Sequence, residues 1–415
     1  MKEKVDTIIY NIGELVTFNN THPGDIEEDK AGIIRDAAIA IHNGIILEVG
    51  YTDDILRRYQ GEHVDVQGNL VTPGLIDTHT HMIFAGSRED EFEYKIRGLS
   101  YDEILARGGG IYRTVNATRQ AKIEDLVSMG LKVLSEMIRH GSTVVEIKGG
   151  YGLDLDGELK IMEAAKLISM KTPVKIIPTM QAHVIPKEYE GNRRAYIGYY
   201  VNKMLSEASR RKLAVYSDVF CDKGAFTPSE TRYILEKSLE LGFRLRIHAD
   251  QLSYIGCSKL AEYLPIDAMD HLDHLPPENA KIMAEKNVAA GLTPTSEFAM
   301  FSENLPPIRE LKNRRIPLAL GTDYNPNNMT PNIQFVMDLS TYKYRLTPLE
   351  ALAGATINAA YSLRIHDMRG RIRKGYRADI VIWNIPNHKW IGYLWGVNKV
   401  EKVYISGKEI WRRDY

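Results

Sequence analysis

The chain has 415 residues, enough to bury a large core as one big domain or as one big domain with a small one. Lys and Arg (53) balance Asp and Glu (54) to a net charge of −1, so no basic face is implied, and nucleic acid and anionic membranes are not expected partners. No stretch of about 18 apolar residues occurs, and the opening M-K-E-K-V-D leads into no apolar run, so neither a membrane span nor a signal peptide is expected.

Residues 7–18 and 62–71 read as short strands. Between them, 37–49 gives two β-rich runs joined by Asn43-Gly44, a pair suited to a type I′ turn because both central positions need positive φ. At the far end 378–383 and 402–411 read as strands, the latter with a Ser-Gly turn. Neither end carries enough apolar surface to stand alone. Residues 1–70 and 370–415 are therefore expected to combine into one small β-domain of about 110 residues.

The middle, 71–369, alternates. Residues 122–140 repeat apolar side chains at helical spacing, and Gly141 follows as a stop signal before the strand S-T-V-V-E-I-K. T-P-S-E (227–230) and T-P-L-E (347–350) are capping boxes with Pro in the first helical position. Eight apolar runs are separated by such stretches: 75–81, 143–148, 174–183, 217–222, 245–250, 267–272, 288–295 and 318–323. Nearly all end in a polar or ionisable residue. Eight parallel strands with chemistry at their C-terminal ends define an α/β fold of the (β/α)8 TIM-barrel type. Gly108-Gly109-Gly110 lacks the Lys-Ser/Thr of a phosphate loop and reads better as an active-site loop. Cys221 and Cys257 lie far apart in no C-x-x-C; two buried thiols are expected, in keeping with a cytoplasmic protein.

The first barrel run ends in H-T-H. In extended chain, residues i and i+2 share a face, so His79 and His81 aim at one point. His183, His248 and His271 end runs three, five and six, and Asp323 ends run eight. Folding a barrel gathers all six at one mouth. Zinc and iron(II) accept imidazole nitrogen and carboxylate oxygen, and a catalytic ion keeps one position open for water. His79, His81, His248 and Asp323 are the expected ligands of one divalent ion.

The strings P-G-L-I-D-T-H-T-H, R-I-H-A-D and G-T-D, with the tail G-R-I-R-K-G-Y-R-A-D-I-V-I-W, resemble the amidohydrolase superfamily across essentially the whole chain. The resemblance implies a metal-dependent barrel flanked by a small β-sandwich built from both chain ends. The strings F-A-G-S-R-E-D-E-F, Y-D-E-I-L-A-R-G-G-G-I, T-V-N-A-T-R, E-I-K-G-G-Y-G-L, Q-A-H-V-I-P-K-E-Y and G-T-D-Y-N-P-N-N narrow it to a branch that acts in histidine degradation. That branch implies hydrolysis of the cyclic amide C–N bond of 4-imidazolone-5-propanoate to N-formimino-L-glutamate. A homodimer, a common outcome for soluble enzymes of this kind, is the expected assembly.

The resemblance also implies roles. Asp323 would take a proton from the attacking water, and His271 would help activate that water and steady the oxyanion. Arg88 would grip the propanoate with its planar fork. Read from its neighbours alone, Arg88 would instead pair with Glu89, Asp90 or Glu91. Tyr151, His183 and Gln251, with Tyr101 a weaker candidate, would contact substrate, as would Asn325, Asn327 and Asn328 after strand eight. Relatives commonly have Gly at the position of Asn327 and Ser or Thr at that of Asn328. Gln251 stands where many deaminases of the superfamily have a proton-shuttling Glu, which speaks for ring opening over deamination. Lys148 ends strand two; in binuclear relatives a carboxylated Lys from a later strand bridges two metals, so one metal is expected.

Overall fold

The computed structural model describes residues 2–99, 103 and 109–414, which leaves Tyr101 and Gly108 outside the described residues. The N-terminal part supplies β1 (Glu3–Val16), β2 (Ile33–His42), β3 (Ile45–Tyr51), β4 (Tyr59–Asp65) and β5 (Leu70–Pro73). The stretch expected as one strand over 62–71 is thus two. Gln67 and Gly68 take positive φ, and the Asp65 carboxylate accepts the Gln67 N–H at 2.8 Å, an Asx turn that breaks the strand. The barrel strands follow: β6 (Leu75–Asp77), β7 (Ser142–Lys148), β8 (Lys175–Ala182) and β9 (Tyr216–Cys221). They continue with β10 (Arg244–Ala249), β11 (Ile266–His271), β12 (Ala289–Leu292) and β13 (Leu318–Leu320). The chain closes with β14 (Ile380–Trp383), β15 (Val400–Ile405) and β16 (Lys408–Arg412).

Both chain ends share one sheet, ordered β16-β15-β14-β5-β1-β2-β3 with β4 on β1. Its two tight hairpins form at Asn43-Gly44 (φ 53° and 75°) and Ser406-Gly407 (φ 47° and 74°), the double positive φ that the I′ turn needs. The ends meet where β14 pairs antiparallel with β5, and the Trp383 indole N–H donates to Thr72 Oγ1 at 2.9 Å. Ile9, Ile12, Leu15, Ile39, Ile380 and Ile382 bury their side chains together, joining residues about 370 apart in sequence by hydrophobic burial.

The second sheet is parallel and runs β6 to β13 in sequence order. Every one of the eight expected runs supplies one of its strands. The helix Ile123–Arg139 buries Leu126, Val127, Gly130, Leu134 and Met137, one stripe at helical period, and Gly141 turns the chain at φ 100° into β7. Both capping boxes form, Thr227 with Glu230 and Thr347 with Glu350. The barrel closes beyond the short ends of β6 and β13: Thr78 Oγ1 donates to Leu320 O at 2.9 Å, and Asp323 N donates to His79 O at 2.9 Å. A Cβ at Gly321 would fall 2.9 Å from the His79 nitrogen, so only glycine permits this approach.

One expectation is overturned. Cys221 and Cys257 form a disulfide with their Cα atoms 5.9 Å apart. The barrel brings the end of β9 beside the segment after β10, a proximity that a sequence separation of 36 conceals. Cysteine usage therefore gives no support for a reducing compartment. No helix among the described residues is long and apolar enough to cross a membrane.

Candidate metal centre

Strand β6 ends at Asp77, not at His81, and the H-T-H continues as extended chain. Thr80 bridges to Tyr324 and His81 N donates to Tyr324 O at 2.8 Å, which preserves the shared direction of His79 and His81. Asp77 anchors the exit of strand eight, accepting Thr322 N at 3.0 Å and Thr322 Oγ1 at 2.7 Å. Burial pushes the Asp77 carboxyl up to about 7.

The six residues expected at the mouth converge. His79 Nε2 lies 3.5 Å and His81 Nε2 3.7 Å from Asp323 Oδ1. The rings of His79 and His248 are 4.5 Å apart, and His271 lies 5.1 Å from His79 and 5.0 Å from His248. His183 stacks on His81 at 5.8 Å and meets Tyr151 edge-on at 5.4 Å.

The other ring nitrogens are held from behind. His79 Nδ1 lies 3.0 Å from Asp270 Oδ2, and His248 Nδ1 lies 3.0 Å from Asp218 Oδ1. His81 Nδ1 faces Gly149 O at 3.2 Å, which only an N–H can satisfy. With the proton on Nδ1, each Nε2 presents a lone pair to the centre, the arrangement in which a carboxylate or carbonyl behind a histidine fixes its tautomer for metal binding. Burial holds His79 below the usual imidazole range, His81 and His271 well below it, and His183 at about 4. Neutral rings suit metal ligation. Both ring nitrogens of His79 are buried without a hydrogen bond among the described residues; Nδ1 keeps its 3.0 Å approach to Asp270 Oδ2, which leaves Nε2 as the nitrogen open to a cation. The ligand atoms of His79, His81 and His248 lie within 4.8 Å of one another, as do those of His79, His271 and Asp323. Three imidazoles and a carboxylate fit a divalent metal.

Beneath the centre sits a group of charges, of which reading the strand ends reaches only Lys148, the last residue of β7. Lys148 Nζ, fully buried, lies 2.7 Å from Asp218 Oδ2, 3.0 Å from Glu146 Oε1 and 3.2 Å from Asp270 Oδ2. Arg246 Nη2 adds a contact of 2.8 Å to Asp270 Oδ1. Burial opposes ionisation of both aspartates, yet His248 and Lys148 hold Asp218 down, and Arg246 and Lys148 hold Asp270 well below the carboxylate range. Lys148 is thus a counter-ion between the carboxylates behind His79 and His248. A signal for it exists in the sequence: a lysine that closes an apolar strand and is buried in the barrel needs an anionic partner.

The remaining expected residues are tied to this centre to different degrees. Asn325 Nδ2 donates to Asp323 Oδ1 at 2.9 Å, and its Oδ1 accepts Asn327 N at 2.8 Å. Asn328 Nδ2 donates to Thr322 O at 2.8 Å. The amides of Asn325 and Asn328 therefore shape the loop, while Asn327 is exposed. The Gln251 side chain is half-exposed. Arg88 is buried and donates through Nε to Glu91 Oε2 at 2.7 Å and through Nη2 to the same oxygen, so the local ion pair forms, with Glu91 as the partner. Glu91 Oε1 accepts Gly110 N at 2.9 Å and ties the glycine-rich loop to Arg88. Arg88 and Asp323 both act electrostatically on the buried Tyr151 hydroxyl.

Barrel and site together define a metal-dependent hydrolase of the (β/α)8 class. Residues 70–410 match the amidohydrolase family, and the chain belongs to it. Among curated proteins it is 44% identical over 383 residues to the imidazolonepropionase of Pyrobaculum arsenaticum, covering 92% of this chain and 94% of that one. It is 40% identical over 412 residues to the imidazolonepropionase of Alkaliphilus oremlandii, covering 97% of both chains. Among solved structures, an adenosine deaminase from Xanthomonas campestris with bound zinc superposes with a TM-score of 0.74 at 18% identity, over 99% of this chain and 93% of that one. At that identity the likeness speaks for the fold.

Proposed function

We propose that this hydrolase opens the ring C–N bond of 4-imidazolone-5-propanoate to give N-formimino-L-glutamate, the reaction for which its curated relatives are named. The convergence of His79, His81 and Asp323 on one point at the barrel mouth carries the reading, with His248 completing the donor set. Zinc or iron(II) is the ion these donors suit, and it would supply a water acidified toward neutrality and a Lewis acid for the ring carbonyl.

The chain's own residues do the rest. Asp323 Oδ1 faces the histidines, and Oδ2, which forms no hydrogen bond among the described residues, takes the proton of the attacking water. His271, steadied by Thr293 Oγ1 at 2.9 Å from its Nδ1, turns Nε2 to the centre and stabilises charge on the carbonyl oxygen. As the C–N bond breaks, the proton held by Asp323 passes to the departing ring nitrogen. Arg88 binds the propanoate with the nitrogen that Glu91 leaves free, and Tyr151, His183 and Gln251 enclose the ring.

The test is hydrolysis of freshly prepared imidazolone propanoate, followed by loss of ring absorbance, with zinc and iron measured on the same sample. Turnover proportional to metal content supports the reading. An inert, metal-loaded protein that releases ammonia from purines or pyrimidines would replace it with an aminohydrolase.

A further inference from the structure

We infer that Lys95 is a second binding residue for the substrate's carboxylate and supplies the net positive charge that Arg88 lacks. The inference rests on the function proposed above. Arg88 gives two N–H groups to Glu91 Oε2, so the pair as a unit is neutral. A neutral pair can orient a carboxylate through hydrogen bonds but leaves its charge uncompensated in a partly buried site.

Lys95 stands on the helix Glu89–Ile96, seven residues beyond Arg88. Arg88 caps that helix from just outside it, and it acts electrostatically on Lys95. Lys95 Nζ reaches Asn327 Oδ1, a long contact of 3.4 Å, and so crosses from the wall that carries Arg88 to the loop that follows Asp323. It is half-buried and has no carboxylate partner among the described residues. Arg88 and Glu91 are the charged groups that act on it. Burial first, and Arg88 second, hold its pKa below the usual lysine value, a cost that a bound carboxylate would relieve. An ammonium aimed across the mouth, beside a neutralised guanidinium, is what an anionic substrate tail requires. A neutral tail would gain nothing from it.

The experiment compares steady-state kinetics of the metal-loaded enzyme on imidazolone propanoate and on its propanamide analogue. Lys95→Met should raise KM for the acid about tenfold with kcat little changed, the size of one lost charge-assisted contact. The same change should leave KM for the amide unaltered. Lys95→Arg should restore most of the loss, and added salt should raise the KM of the unmodified enzyme more than that of Lys95→Met. A KM for the acid within about twofold of the unmodified enzyme, or an equal rise for acid and amide, overturns the role of Lys95. Unmodified enzyme inert toward the acid brings down the proposed function and this inference together, whereas turnover with an unshifted KM overturns Lys95 alone.

Discussion

Lys148 Nζ and Asp218 Oδ2 meet at 2.7 Å with no solvent access, across 70 residues of sequence. Asp218 is the carboxylate behind His248, and the same ammonium lies 3.2 Å from Asp270, the carboxylate behind His79. One buried cation therefore steadies two of the three imidazoles. Without it, Asp270 would keep Arg246, but Asp218 would lose its only fixed cation in a dry interior and would give up its charge or its place.

Lys148→Met keeps an unbranched side chain one atom shorter and removes the charge. Metal affinity should fall about 10–100-fold, the usual cost of disturbing a partner behind a histidine ligand. Fold stability should fall by about 3–5 kcal/mol, as when one member of a buried ion pair is deleted. Chelator competition reads the first and denaturant unfolding of the metal-free protein the second. Unchanged metal affinity in folded protein would reduce Lys148 to a packing role.

Asp323→Asn tests the proton acceptor. The amide keeps shape and can still offer an oxygen, but it cannot take a proton at neutral pH. Turnover should drop by about 10²–10⁴-fold while near-ultraviolet dichroism is unchanged. The loss should be larger in kcat than in KM. Near-normal rates would move the proton to His271.

Most of the barrel was legible because nearly every apolar run closes on a polar residue, and the H-T-H fixed a direction as well as a place. His183, His248, His271 and Asp323 could be read the same way. Asp218 and Asp270 could not, since each sits one or more residues inside its run and its partner comes from another strand. Their meaning emerges only when closure sets β7, β9 and β11 around one axis. The Arg88–Glu91 pair lay within reach of local reading, three residues apart; its tie to Gly110 did not. Splitting 62–71 into two strands turned on one Asx turn, a local competitor that hydrophobic pattern does not register.

The Cys221–Cys257 disulfide closes a loop that contains the end of β9, the whole of β10 and Gln251. Asp222, next in the chain, accepts Leu252 N and Ser253 Oγ, each at 2.7 Å, so bond and carboxylate pin the same segment. With a sequence separation of 36 residues, the chain-entropy relation puts the stabilisation at about 4 kcal/mol. Cys221→Ser with Cys257→Ser should lower the denaturant midpoint accordingly, and a reductant should do the same to the unmodified protein. An unshifted midpoint in both would mean that Asp222 alone suffices to hold the loop.

Asp273 gives a pH prediction of definite sign. It is buried beside Glu297, and both its carboxylate oxygens lack hydrogen-bond partners among the described residues. Glu297 is already engaged by Lys343 Nζ at 3.0 Å and by the Tyr344 hydroxyl. Burial and then Glu297 push the Asp273 carboxyl up to about 9. The folded protein thus keeps this proton where the unfolded chain, with an ordinary aspartate value of 3.8, has released it. The contribution of Asp273 to stability is fully present below about pH 4 and is lost as pH rises to about 9, at no more than about 1.4 kcal/mol per pH unit. Asp273→Asn has nothing to release. Its denaturant midpoint should gain on that of the unmodified protein between about pH 5 and pH 8, and parallel profiles would show that Asp273 is ionised throughout.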